Sequence, residues 1–203
     1  MANIAAIRSV GTSLVTYLTH AYRDTPFPTG VTKPDCTFVM ASIGGLRAAQ
    51  QGPANEASVR VVFLLYRASM NEHLRNAVRV TATGARTVPL SVDLHYLVSF
   101  WAQSAENEQL VLAWTLRQLH DVPVIDGSIL NRDARWTPDE VIQIIPEEIS
   151  TEALMRIWDT LEPDYRLSLS YIARVVRIDP AEAREERQVV ATRFSIAVPE
   201  GAA

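Results

Sequence analysis

Residues 90–101 read Leu90-Ser91-Val92-Asp93-Leu94-His95-Tyr96-Leu97-Val98-Ser99-Phe100-Trp101. Leu90, Val92, Leu94, Tyr96, Val98 and Phe100 fall on one side of an extended chain, while Ser91, Asp93, His95, Leu97, Ser99 and Trp101 fall on the other. Successive side chains of a strand point to opposite faces, so this stretch has one uniformly apolar face and one mixed face. A strand of this length belongs well inside a sheet, with its apolar face covered by helices. The rest of the chain is read outward from it.

Upstream, Ser58 to Ala68 is apolar on both sides: Val59, Val61, Phe63 and Leu65 oppose Val62, Leu64 and Tyr66. That pattern predicts a central strand buried on both faces. Between the two, Val78 to Thr83 is a short strand candidate and Gly84 marks a turn. Cys36 to Ser42 is another strand candidate, and Gly44 to Asn55 reads as a loop. Residues 3–22 carry Ile4, Ile7, Gly11, Leu14 and Leu18 at three- and four-residue steps, the stripe of a helix packed on a sheet. The proline-rich segment Asp24 to Gly30 ends it. With no basic n-region, and with Arg8, Thr12, Ser13 and Thr16 interrupting any apolar core, this N-terminal segment is expected to be part of the fold rather than a leader.

Downstream, Ser104 is placed to cap a helix over 105–120, with Glu106 and Glu108 in its first turn. Val141 to Ile145 is a short strand. Ser150 caps a further helix to about Leu161, where Ile149 and Leu154 form a hydrophobic staple. Tyr165 to Ile178 alternates again, Asp179 to Arg187 is a charged linker, and Val189 to Val198 reads as a last strand. Strands interleaved with about three helices, closely spaced over 58–101, give an α+β class with one mixed, mainly antiparallel sheet. The expected division is a domain at 1–179 and a linker with C-terminal strand at 180–203.

The 203 residues suffice for one sizeable core. Cys36 is the single cysteine, which excludes an intrachain disulfide and a cysteine-based zinc cluster. A net charge of −4 argues against general nucleic-acid binding. No run approaches the ~18 apolar residues of a membrane span. No cofactor is expected: Gly44-Gly45 opens neither a P-loop nor a dinucleotide fingerprint, and the four histidines (20, 73, 95 and 120) lack metal-ligand spacing.

Ser91, Asp93 and His95 share a strand face, but residues two apart on a strand lie ~6.5–7 Å from one another with parallel side chains. They cannot converge as nucleophile, base and orienter. A small hydrolase using Asp93 and His95 therefore ranks behind the half-polar face of a buried strand, and no catalytic residue is assigned. Glu147-Glu148 reads as a solvated turn. Charge is laid out unevenly: residues 57–90 hold five Arg against one acid, a balance of +4, and residues 139–162 hold seven acids against one Arg, a balance of −6. A head-to-tail contact between copies would use this asymmetry, with Arg75 and Arg79 on the basic side.

Several segments in order, NIAAIRSVGTSLVTYL, VRVVFLLYRASMNEHLRN, VPLSVDLHYLVSFWA, LRQLHDVPVID and VIQIIPEEISTEALMRIWDTLEPDYRLSLSYIARVVRID, together span roughly residues 3–179. In combination they resemble the N-terminal-domain family of cap, or tail-terminator, proteins of phage-tail-like contractile injection systems. The resemblance implies a tail-terminator-like α+β fold and a structural role without catalytic residues. It implies a homohexameric ring on the distal end of the inner tube, which ends tube polymerisation and contacts the last sheath ring. Its partners would be copies of itself, the inner tube protein and the sheath protein, with neither nucleic acid nor membrane. Synthesis would be cytoplasmic, within a particle that can be released. A neck or baseplate adaptor of such a particle is the alternative. The segments 43–56 and 69–88 are long enough to project from a sheet and are favoured for tube or neighbour contact.

Overall fold

A computed structural model describes residues 2–48, 55–74, 78–80, 86–161 and 164–180, without the side chains of Arg47, Ala48, Arg79 and Arg86. The expected last strand at 189–198 lies outside these residues.

The element order is α1 (Ala6–Asp24), β1 (Asp35–Ala41), α2 (Ile43–Ala48), β2 (Ser58–Met70), β3 (Arg79–Val80), β4 (Arg86–Thr87), β5 (Leu90–Ala102), α3 (Ala105–Asp121), β6 (Val124–Ile125), β7 (Ile142–Glu147), α4 (Thr151–Leu161) and β8 (Ser168–Ile178). Six strands form one sheet in the order β1-β2-β5-β8-β7-β6; β3 and β4 pair separately as a small ribbon. Only β1–β2 is parallel, and the other pairings are antiparallel. The mixed, mainly antiparallel sheet read from the sequence is the one observed.

The alternation in β5 decides the layering. Leu94, Tyr96, Val98 and Phe100 join Val10, Leu14, Leu18 and Tyr22 of α1 and Val111 and Leu119 of α3 in the larger core. Leu97 and Trp101 point the other way, into a second core with Val62 and Leu64 of β2, Leu46 of α2, and Trp158 and Leu161 of α4. Both faces of β5 are thus covered, the mixed one through Leu97 and Trp101. Gly11 lies beneath the end of the Met40 side chain, whose Cε would sit 2.6 Å from a Cβ there.

Helix ends follow local chemistry. Ser104 Oγ accepts the Asn107 N–H and Ser150 Oγ accepts the Ala153 N–H, as their positions predicted. Lys33, the only lysine, donates to the carbonyls of Tyr22, Arg23 and Thr25. It closes the C-terminal end of α1, where carbonyls lack partners and a cation is favoured. The 126–140 connection is tied to α1 through Ser9 and Ser13: Ser9 Oγ donates to the Asn131 carbonyl, Trp136 Nε1 donates to Ser9 Oγ, and Ser13 Oγ accepts the Asn131 N–H.

Two expectations change. The Gly44 to Asn55 loop begins instead with the six-residue helix α2, whose Leu46 is fully buried and turns this segment down onto the sheet. The candidate strand over Val78 to Thr83 is, in its described part, only the two residues of β3 paired to β4.

Candidate assembly surface

β2 and β5 form a long hairpin, and its outer strand β2 outruns the edge strand β1. β1 pairs with β2 only as far as Ala41 opposite Leu64, whereas β2 continues to Met70 opposite Val92. Leu65 to Met70 therefore has no strand on its outer side among the described residues. Beyond it the chain makes the 71–89 excursion that carries the β3–β4 ribbon. Here apolar side chains face solvent: Val80 is 64% exposed, Met70 56%, and Val78, Val88 and Leu90 about half. Isolated exposed apolar residues need no explanation, but three on this excursion and one at each strand end flanking it make a candidate interaction surface.

The root of this hairpin is held by a buried polar cluster. Two bulges make it possible. Tyr66 is an extra residue in β2 between the Leu65–Tyr96 and Arg67–His95 pairs, and Arg174-Val175 of β8 together oppose Asp93. A bulge bends its strand and re-aims side chains, and both lie level with residues 93–96 of β5. Tyr66 Oη donates to Glu147 Oε2 at 2.8 Å, and Ser170 Oγ donates to the same oxygen at 2.7 Å. Glu147 Oε1 lies 3.0 Å from His95 Nδ1, and Ser69 Oγ lies 2.9 Å from His95 Nε2. Nδ1–H donates to the Glu147 carboxylate, and Ser69 Oγ partners Nε2.

An Arg67 nitrogen stands 3.1 Å from Nε2 and 3.4 Å from Nδ1. A position so near both ring nitrogens lies over the imidazole face, because an in-plane approach would collide with the carbon between them. The guanidinium also reaches to 3.7 Å from Glu147. Burial pushes the Glu147 carboxyl upward, but hydrogen bonds from Ser170, His95 and Tyr66 outweigh it and hold the group below its ordinary range. β2, β5, β7 and β8 are thereby fastened at one level.

Ser69, His95 and Glu147 stand in the order of a nucleophile, a base and an orienting acid. His95 is only 3% exposed and Arg67 covers its ring. Two hollows among the described residues lie elsewhere, over residues 126–138 and beside residues 102–109 and 165–167. The arrangement locks strands together.

Asp93 and His95, the pair considered from the sequence, are both buried but do not bond each other. Asp93 accepts from Asn71 Nδ2 at each carboxylate oxygen, both at 3.1 Å, and from Arg174 Nε at 3.3 Å. Of the residues assigned to the basic contact, Arg75 lies outside the described residues, and Arg79 pairs its backbone with Thr87 on the ribbon. Glu147, expected on a solvated turn, instead ends β7 with its side chain 14% exposed. Ser69, Tyr66 and Arg67 carried no signal in the sequence, since their roles depend on a bulge that periodicity does not report. Cys36 behaves as a packing residue: burial pushes its thiol up to about 12, with the Asp35 charge adding to it. No group of three or more metal-ligating side chains converges among the described residues, and no described helix is long and apolar enough to cross a membrane.

Comparison with known proteins adds a family and a fold. The model of the Pvc16 N-terminal domain family matches residues 9–192. No curated protein matches the chain. Among solved structures, the chain is similar to the PVC sheath/tube terminator of an extracellular contractile injection system in its extended state. The two share 19% identity with a TM-score of 0.56, over 97% of this chain and 64% of that one. It is also similar to the tube-terminating cap of the anti-feeding prophage, at 18% identity and a TM-score of 0.50, over 92% of this chain and 60% of that one. The chain thus spans less than two thirds of the length of either, and at these identities the likeness is one of fold.

Proposed function

The chain belongs to the Pvc16 N-terminal domain family, and from that membership we propose that it is the terminator cap of a contractile injection system. In this reading a ring of copies, six by the expectation above, seats on the distal end of the inner tube, stops its polymerisation and meets the last sheath ring. The observation that carries it is the family match over residues 9–192, joined to a fold shared with a sheath/tube terminator across 97% of the chain.

The geometry gives this role a physical form. A terminator needs one face that copies the stacking contact of the tube and another that refuses further stacking. The exposed apolar side chains Met70, Val78, Val80, Val88 and Leu90 are the face we assign to the tube end. Arg75 and Arg79 on the 71–89 excursion are assigned to the acids of residues 139–162 on the next copy, and 188–198 to an edge strand of its own domain beyond residue 179. The work done is docking, not catalysis, in a particle that acts outside the cell.

Tube length tests this directly. Particles from a strain lacking the gene are expected to carry overlong, heterogeneous or uncapped tubes in electron micrographs, restored by supplying the gene. Tubes of normal length with normal caps would overturn the reading and turn attention to the baseplate end.

A further inference from the structure

Part of one sheet edge is open at the outer side of β2. Among the described residues β2 has no outer neighbour beyond Leu64, where β1 ends at Ala41. Asn71 N–H donates inward to the Ser91 carbonyl at the start of β5. Alternation along β2 then turns the N–H and C=O of Ala68 and Met70 outward, away from β5. The side chains of Ala68 and Met70 are exposed on one face, while Arg67 and Ser69 meet His95 on the other. This edge therefore presents backbone groups with an apolar side and a polar side, a template for one more strand. Toward the opposite edge, β7 carries Pro146, whose missing N–H blunts pairing.

Residues 189–198 have the pattern this edge asks for. Val190, Phe194, Ile196 and Val198 fall on one side of an extended chain, Ala191, Arg193 and Ser195 fall on the other, and Pro199 follows. The end of β8 brings them within reach. Met70 and Val176 flank Val92 on its two sides, so β8 ends level with the open edge and two strand spacings, ~9.5 Å, from β2. Residues 179–188 can span ~33 Å. β2 and β8 both run antiparallel to β5, so a chain turning back after β8 meets β2 antiparallel, at its Met70 end. We propose that residues 189–198 dock on β2 of the same chain as a seventh strand of the sheet, antiparallel to residues 65–70, with Phe194 on the side of Ala68 and Met70. A tether this short holds the segment at an effective concentration on the order of millimolar, which favours the chain's own tail over that of a neighbour. The pairing rests on the assignment of 188–198 to an edge strand above, and names the edge.

The purified full chain tests it. With a photoreactive benzophenone in place of Phe194, irradiation of mixed isotope-labelled and unlabelled chains is expected to give adducts within one chain, to residues 65–70. Amide exchange followed by NMR gives a second readout: the N–H groups of Ala68 and Met70 are expected to exchange about tenfold faster in Thr192→Pro, which cannot complete the ladder, than in wild type. Adducts to β1 or to any segment other than 65–70 would overturn the pairing, as would equal exchange of these two amides in both chains. Adducts to residues 65–70 that join labelled to unlabelled chains would overturn it in favour of a strand lent to a neighbouring copy, and would leave the terminator reading standing. Normal tubes in the deletion strain would overturn that reading and leave the adduct within one chain intact, so the two failures are distinguishable.

Discussion

Removing the Glu147 carboxylate should loosen the hairpin root more than any other single change to its polar groups. The side chain accepts from Tyr66, Ser170 and His95, and two of those donors, on Ser170 and His95, belong to buried residues. Glu147→Ala leaves them without an acceptor. At about 1 kcal/mol for each bond lost with its donor stranded, the cost is about 3 kcal/mol. In a chain of 203 residues that lowers the thermal midpoint by about 6–12 °C. Glu147→Gln keeps the shape and one acceptor oxygen, and its cost is about 1 kcal/mol. The sign of the pH dependence follows from the depressed carboxyl. Its contribution is fully present above the ordinary value of 4.5 and is lost as pH falls through the lower folded value. Wild type and Glu147→Gln should therefore differ by a constant amount near neutrality and converge in acid, as the wild-type carboxyl also becomes neutral. The assay is thermal denaturation followed by tryptophan fluorescence at several pH values. A Glu147→Ala midpoint within about 2 °C of wild type, or a Gln variant whose deficit persists unchanged into strong acid, would refute the fastening role.

Two further outcomes are expected. The double variant Val80→Asp, Leu90→Asp alters side chains that face solvent, so its circular dichroism and melting should match wild type. Its attachment to tube ends, counted in micrographs, should fall sharply; unchanged attachment would move the tube contact away from the excursion. Tyr96 is fully buried with its hydroxyl unbonded, and burial holds that phenol far above its ordinary range. Tyr96→Phe removes an unsatisfied polar atom and should be neutral or stabilising by up to about 1 kcal/mol. A marked loss in calorimetry would mean the hydroxyl has a partner.

The features legible in the sequence were those with a local period or a local cap. The alternation of residues 90–101, the two-sided apolar run at 58–68 and the stripe of α1 each fix which side chains are buried, because the geometry of a strand or helix repeats within a few residues. Ser104 and Ser150 cap for the same reason, as the groups they bond lie three residues away. From these came the class of sheet, its two covered faces and the helices on them. The tertiary structure decided everything that joins distant positions. His95 meets Ser69 and Glu147, 26 and 52 residues away in the chain, only because β2 and β8 flank β5 and β7 lies beyond β8. The two-residue strands β3, β4 and β6 are too short for any period and exist through their partners. Glu147 looked solvated beside Glu148 because adjacent residues point apart. Which of the two turns inward is set by the register of β7 against β8, where Glu147 pairs with Ser170. Arg166 likewise stands over Trp101, 65 positions earlier, only because the folded sheet brings them together. Periodicity assigns a side chain to a face, and only the closed sheet determines what that face meets.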